Sequence, residues 1–167
     1  MAFARTLKHL FAWPANFSRA WPAATLAQIE TAVTQSETNH RAELRFCVEE
    51  SLPISYLWRN AAARERAVAL FGKLRVWDTE ENNGVLLYVL HVEHRVELIA
   101  DRHVARQIPA GQWQEWVSQL QTAYRAEQYA AGTMAVLASI STALATLYPA
   151  AANKSNQLPD TPVVIRR

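Results

Sequence analysis

The sequence predicts a layered α/β or α+β domain, a mixed sheet of at least three strands with helices on both faces. Three observations predict it. Residues 43–50, ELRFCVEE, alternate apolar and polar side chains at strand period. Residues 85–90, VLLYVL, form an unbroken apolar run of strand length, as in a central strand covered on both faces. Stretches of helical period precede, separate and follow these strands, giving the order α–β–α–β–β–α–α.

Each element has its own signal. Phe3, Leu7, Leu10 and Phe11 recur at helical spacing over 3–12, with Arg5, Lys8 and His9 elsewhere on the wheel. This short amphipathic helix either docks on the domain's own core or serves a membrane surface or partner. Trp13-Pro14 and Trp21-Pro22 punctuate the chain. Leu26, Ile29 and Val33 define a helix over 23–39. In the first strand, Leu44, Phe46 and Val48 make the strongly apolar face, opposite Glu43, Arg45, Cys47 and Glu49. Pro53 opens a helix over about 54–72, rich in good helix formers, with Gly72 as its stop. Val92 to Arg95 is too short for a crossover, so Val96–Ala100 returns as an antiparallel strand. A short helical stretch covers 103–107, and Trp113, Trp116, Val117, Leu120 and Tyr124 form a buried helical stripe over 112–127. A last helix spans about 130–148 and Pro149 ends it. The expected organisation is an aromatic helical segment at 1–22, the domain at 23–149 and a flexible tail at 150–167.

Composition narrows the function. A length of 167 residues suits one domain with one core, and half the residues are apolar. The net charge of +2 is small, and Lys8, Lys73 and Lys154 are the only lysines, so nucleic acid is not the expected partner. Cys47, the single cysteine, reads as a small buried side chain. No apolar stretch is expected to serve as a membrane span, because Ser139, Ser141, Thr142 and Thr146 interrupt the weakly polar region 134–148. Arg5, Lys8 and His9 break any secretory signal, and the default location is cytoplasmic. His9, His91 and His94 read as surface or turn residues.

The topology gathers polar residues at one edge. If strands one and two are parallel, both begin on that edge, and the returning third strand ends there at Asp101. Three clusters then converge: Glu37, His40 and Glu43; Asp78, Glu80, Glu81, Asn82 and Asn83, preceded by Arg75; and Asp101, Arg102 and His103. Carboxylates with amides make a hard-oxygen environment suited to Ca²⁺ or Mg²⁺ rather than zinc. Arg75 or Arg102 offers a bidentate phosphate partner. Each residue has a structural reading beside this one: Asp78 to Glu80 as turn and cap chemistry, Asn82-Asn83-Gly84 as a turn, Asp101-Arg102 as an ion pair. No Gly-rich phosphate loop or nucleophile elbow is present, and no organic cofactor is expected.

The run from Trp77 through Asp78, Thr79, Glu80, Glu81, Asn82, Asn83 and Gly84 to Val85-Leu86-Leu87, followed by the hairpin and Val96-Glu97-Leu98-Ile99-Ala100-Asp101-Arg102, resembles the TPM domain family. Ser36-Glu37 with His40, Glu43 with Arg45-Phe46, Ala63-Arg64-Glu65-Arg66-Ala67 and the terminal Tyr148-Pro149 add to the likeness. The resemblance implies an α/β/α sandwich around a mixed sheet of three to four strands. It also implies a choice of roles: phosphatase activity as proposed for plant members, calcium or other divalent binding for bacterial ones, or accessory work at membrane complexes. Carried over by position, Asp78, Asn82, Asn83 and Asp101 are the expected metal residues, with Glu37, His40, Glu43, Arg75, Glu80, Arg102 and His103 as neighbours. This chain departs from the pattern at His103, where relatives usually offer glycine, and it shows neither the export signal nor the anchor of many relatives. The expectation is an accessory or interaction module whose acidic edge binds a divalent cation. It would dock a protein partner or, through residues 1–22, a membrane surface. The alternative is a metal-dependent phosphomonoesterase.

Overall fold

A computed structural model of the chain describes residues 2–10, 14–151 and 155–166. Its sheet has the order β3-β2-β1-β4, built from β1 (Glu43–Glu49), β2 (Gly84–Leu90), β3 (Arg95–Ala100) and β4 (Val163–Ile165). β1 pairs in parallel with β2, Glu43 opposite Gly84, and β3 returns antiparallel to β2. The pleat sorts side chains into two cores. Phe46, Val48, Leu87 and Val89 face the layer made by α3 (Ala23–Glu37), α7 (Ala110–Arg125) and α8 (Tyr129–Leu147). Cys47, Leu86, Tyr88 and Leu90 face α4 (Ile54–Trp58) and α5 (Ala63–Lys73). The α/β/α sandwich is therefore real, with Trp116, Leu120 and Tyr124 as core. The short helix α6 (Arg102–Gln107) follows β3 as expected.

β1 differs from the half-polar strand expected. All seven of its residues are buried. Its charged row survives because each member has a partner. Arg66 on α5 forks onto Glu49, with Nη2 2.6 Å from Oε1 and Nε 2.9 Å from Oε2. Tyr88 donates its hydroxyl to the same carboxylate at 2.6 Å. The hydrogen bonds to Glu49 hold the Arg66 guanidinium charged more firmly than usual. Burial pushes the Cys47 thiol, which lies between Arg45 and Glu49, up to about 12.

The other two charges of the row recruit the C-terminal segment, which corrects the flexible tail expected at 150–167. Leu158 donates its N–H to Glu43 (3.1 Å), Arg45 donates to Thr161 O (3.2 Å), and β4 adds to β1 in parallel. Composition hid this, since a strand of three residues has little periodicity to show.

The N-terminal region is also integral. Phe17, on the helix α2 (Pro14–Ala20), and Trp21 are each 1% exposed, and the Trp21 ring packs against Phe46 and Tyr124. They are core side chains, not a free aromatic surface. Helix α1 (Ala2–Leu10) docks by the side expected to face water. His9 is fully buried, its Nε2 2.7 Å from Glu93, and its Nδ1 accepts the Leu52 N–H. Arg5 reaches Glu93 and Ala61 O, while Leu10 is exposed. Burial opposes the Glu93 charge, but His9 and Arg5 together hold its pKa at about 2. Phe11 and Trp13 lie outside the described residues.

Two further expectations change. The helix expected over 54–72 is α4 and α5, broken by Asn60 in the left-handed region at φ 50. Helix α8 is long and apolar enough to cross a membrane by length and composition, contrary to expectation; its hydroxyls bond back to carbonyls four residues earlier and interrupt it less than their polarity implies. Its buried stripe, including Val136, Ile140 and Leu144, packs with α3 and α7.

Arg66→Met is expected to lower stability by about 3–5 kcal/mol in urea denaturation, because it strands a buried Glu49. Adding Glu49→Leu should recover most of that loss; a double variant no more stable than the single would show that the pair is not a coupled unit. Trp21→Ala should cost about 3–5 kcal/mol, and a loss below about 1 kcal/mol would contradict its place in the core.

Candidate functional site at the strand-start edge

The parallel pairing brings the predicted clusters to one edge. Gly84 opens β2 between Glu43 and the end of β3. It needs to be glycine, because a Cβ there would come within 1.9 Å of Val76 O. Asp101 and Gly84 exchange two bonds: Gly84 N–H donates to Asp101 Oδ2 (3.1 Å), and Asp101 N–H donates to Gly84 O (2.9 Å). One link further along the edge, Asn83 donates its amide to Arg41 O at 3.0 Å, and Arg41 Nε lies 2.8 Å from Glu81. Arg41 N–H donates to Tyr148 O, beside the bridge between His40 and Pro149.

Three of the six carboxylates at this edge, Glu37, Glu43 and Asp101, hold backbone in place. Glu37 accepts the Leu44 N–H at 2.9 Å and Glu43 accepts that of Leu158. His40 is buried, bonded to Ser36 Oγ and Ala42 O. The 79–83 loop is a side-chain-capped turn, Thr79 Oγ1 accepting the Asn83 N–H (3.0 Å) with Asn82 at φ 49. Glu80 is exposed and donates its N–H to Gln157. Asp78, Arg75, Arg102 and His103 are exposed, and Arg75 sits at φ 54. The His103 ring lies 6.0 Å from Tyr148.

Among the described residues, no three His, Cys, Asp or Glu side chains form a ready-made metal group. The oxygen character of the edge persists in another form. Asn83 is 1% exposed, and its Oδ1 is buried with no hydrogen-bond partner among the described residues. The Asp101 pKa is raised above 3.8, chiefly by burial, with the Gly84 N–H pulling the other way. Burial also raises Tyr148, and the nearby Glu81 and Asp101 charges add to that rise. Glu37 and His40 line a separate cavity of about 280 Å³ with Asn156 and Asp160. Arg41 and Tyr148 belong to the site but were not singled out for it from sequence. The Tyr148-Pro149 pair was the available signal for one; nothing local marks Arg41.

An acid with a raised folded pKa stabilises below its unfolded value and loses that contribution as pH climbs through the folded value. Asp101→Asn keeps an oxygen for Gly84 N–H. It should therefore hold or raise stability at neutral pH, by no more than about 1 kcal/mol given the partial exposure. Denaturation on both sides of the Asp101 transition checks this, and a large neutral-pH loss would mean that the charge itself secures β2.

The fold has solved counterparts. The BA42 protein of the psychrophilic bacterium Bizionia argentinensis superposes with a TM-score of 0.75 at 21% identity, covering 85% of this chain and 93% of that one. The N-terminal domain of a P. gingivalis protein gives 0.62 at 16% identity, covering 77% and 78%. At these identities the likeness concerns fold alone. No curated protein matches. The family model of the TPM domain matches residues 21–143, and the chain belongs to that family.

Proposed function

We propose that the protein is a non-enzymatic accessory module, whose strand-start edge binds a divalent cation and presents a partner-docking surface. The carrying observation is how the edge uses its acids. Glu37, Glu43 and Asp101 each accept a backbone N–H, which commits them to architecture rather than to proton transfer. The cation reading draws support from the unpartnered Asn83 Oδ1 and the raised Asp101. A hard cation there would answer the buried oxygen and offset the burial that disfavours the carboxylate charge. Asp78 and the Asn82 amide would complete the oxygen set from the exposed turn. A metal-dependent phosphomonoesterase is the competing reading. It would use the same cation with Arg75 or Arg102 on the phosphate and His103 as the acid.

Titration with Ca²⁺ and Mg²⁺, followed by backbone amide resonances, separates these readings when paired with a phosphomonoester hydrolysis assay. Saturable shifts confined to 78–84 and 101–103, weakened about tenfold or more by Asp101→Asn and Asp78→Ala, without cation-dependent hydrolysis, are the expected result. Hydrolysis that requires the cation and vanishes in Asp101→Asn would install the phosphatase reading instead. Unchanged spectra would remove the cation from this edge.

A further inference from the structure

The opposite end of the sheet carries a second cavity, of about 350 Å³, at the size of a small-molecule site. It lies where β2 ends, and the carboxyl ends of parallel strands are the usual place for ligands in open α/β sheets. Three separate parts of the chain line it: Asn16 and Arg19 from α2, His91 and His94 from the β2–β3 turn, and Glu127 and Tyr129 from the α7–α8 junction.

His91 and His94, expected to face solvent from a turn, are instead built into this wall. His91 is 8% exposed, packed edge-on to Phe17 and beside Tyr129. Trp21 donates its indole N–H to His91 Nδ1 (3.3 Å). That bond fixes the tautomer: Nδ1 is the acceptor, so Nε2 carries the proton. That leaves Nε2–H as the ring's donor. The His94 and His91 rings are 6.0 Å apart. His94 and Glu127 both hold left-handed backbone, at φ 49 and φ 59. Such conformations are uncommon outside glycine, and two on one cavity wall match the local strain that gathers at binding sites.

The charge around the cavity selects the ligand. Among the described residues that line the cavity, Arg19 and Glu127 carry the charges; Lys8 on α1 and Arg125 at the end of α7 add positive charge to the histidine pair, while Glu93 of the same turn is taken up by Arg5 and His9. This field opposes a metal cation and favours an anion. We propose that the cavity binds a small oxyanion-bearing molecule, a phosphate or a carboxylate, held by Arg19, the His91 Nε2–H and the His94 imidazole. Burial first, then His94 and Lys8, holds His91 at about 4, and burial followed by Lys8 and Arg125 lowers His94, so both rings are neutral in the empty cavity near neutral pH. His91 does not answer by protonating, since its Nδ1 is held by the Trp21 N–H; a bound anion reverses part of that effect at His94, and binding takes up a proton there. Affinity should therefore climb as pH falls below the ordinary 6.5, and level off once the His94 ring of the empty protein protonates.

The test is a titration of the full chain with inorganic phosphate and, separately, succinate, read on the imidazole nitrogens and backbone amides above and below that ordinary value. Saturable movement of His91, His94, Tyr129 and Arg19 with either anion, tighter at the lower pH, supports the site and tells phosphate from carboxylate chemistry. Arg19→Gln, at an exposed position that leaves the core untouched, should weaken binding about tenfold, the effect of one charge-assisted hydrogen bond. His94→Asn, which tolerates the left-handed backbone, should flatten the pH dependence. No saturable movement with either anion overturns the proposal. So do shifts that spread over the basic surface, or binding indifferent to Arg19→Gln. Shifts at 78–84 or 101–103 concern the other end of the sheet and would not rescue it.

Discussion

Strand β1 is buried on both faces yet carries Glu43, Arg45 and Glu49 on one of them. Charges in the middle of a sheet are tolerable only when each is answered by a partner of matching geometry. That constraint decides what can lie over this face. Glu49 requires a guanidinium, which fixes the turn of α5 bearing Arg66 and the facing of Tyr88 on β2. Glu43 requires an N–H donor and Arg45 an acceptor, and the C-terminal segment supplies both. Burial is the chief influence on Arg45 and lowers its pKa, so the bond to Thr161 O and the nearby Asp160 charge matter to it. The opposite face of β1 is apolar and sets no such conditions, which is why ordinary helix packing by α3 and α8 covers it.

The two ends of the sheet divide the chemistry. Where β1 and β2 begin, half of the acids are spent on backbone amides, and an exposed turn holds the other half. Where β2 ends, two imidazoles and flanking cations surround open volume. The carboxylate-bearing edge and the imidazole-lined cavity thus sit at opposite ends of one strand, with the apolar length of β2 between them.

The sheet was legible where physics is local. Alternation over 43–50 and the run at 85–90 gave β1 and β2, and the brevity of 92–95 gave the antiparallel return. From those came the edge, and with it the meeting of Asp101, Gly84 and Asn83. What remained hidden depends on partners distant in sequence. His9 looks like a surface residue until Glu93 is placed beside it. His91 looks like a turn residue until Trp21 reaches it. Asp78 and Arg75 stand out by type and position, and the fold leaves both exposed at the edge. Periodicity places a side chain on a face; it does not say whether the matching face is apolar or a carboxylate. On α1, His9 and Arg5 are drawn inward by Glu93 for that reason.

The position of β4 along the chain has a consequence for synthesis. β1 leaves the ribosome more than a hundred residues before the segment that answers Glu43 and Arg45. Until Leu158 and Thr161 emerge, the nascent sheet presents an open edge and two charges that must stay hydrated. Until then β1 has its helix layers and Arg66 but not the strand that closes its edge. The growing chain is therefore kept from locking prematurely, and the domain reaches its final form only after α7 and α8 have already had time to cover the other face.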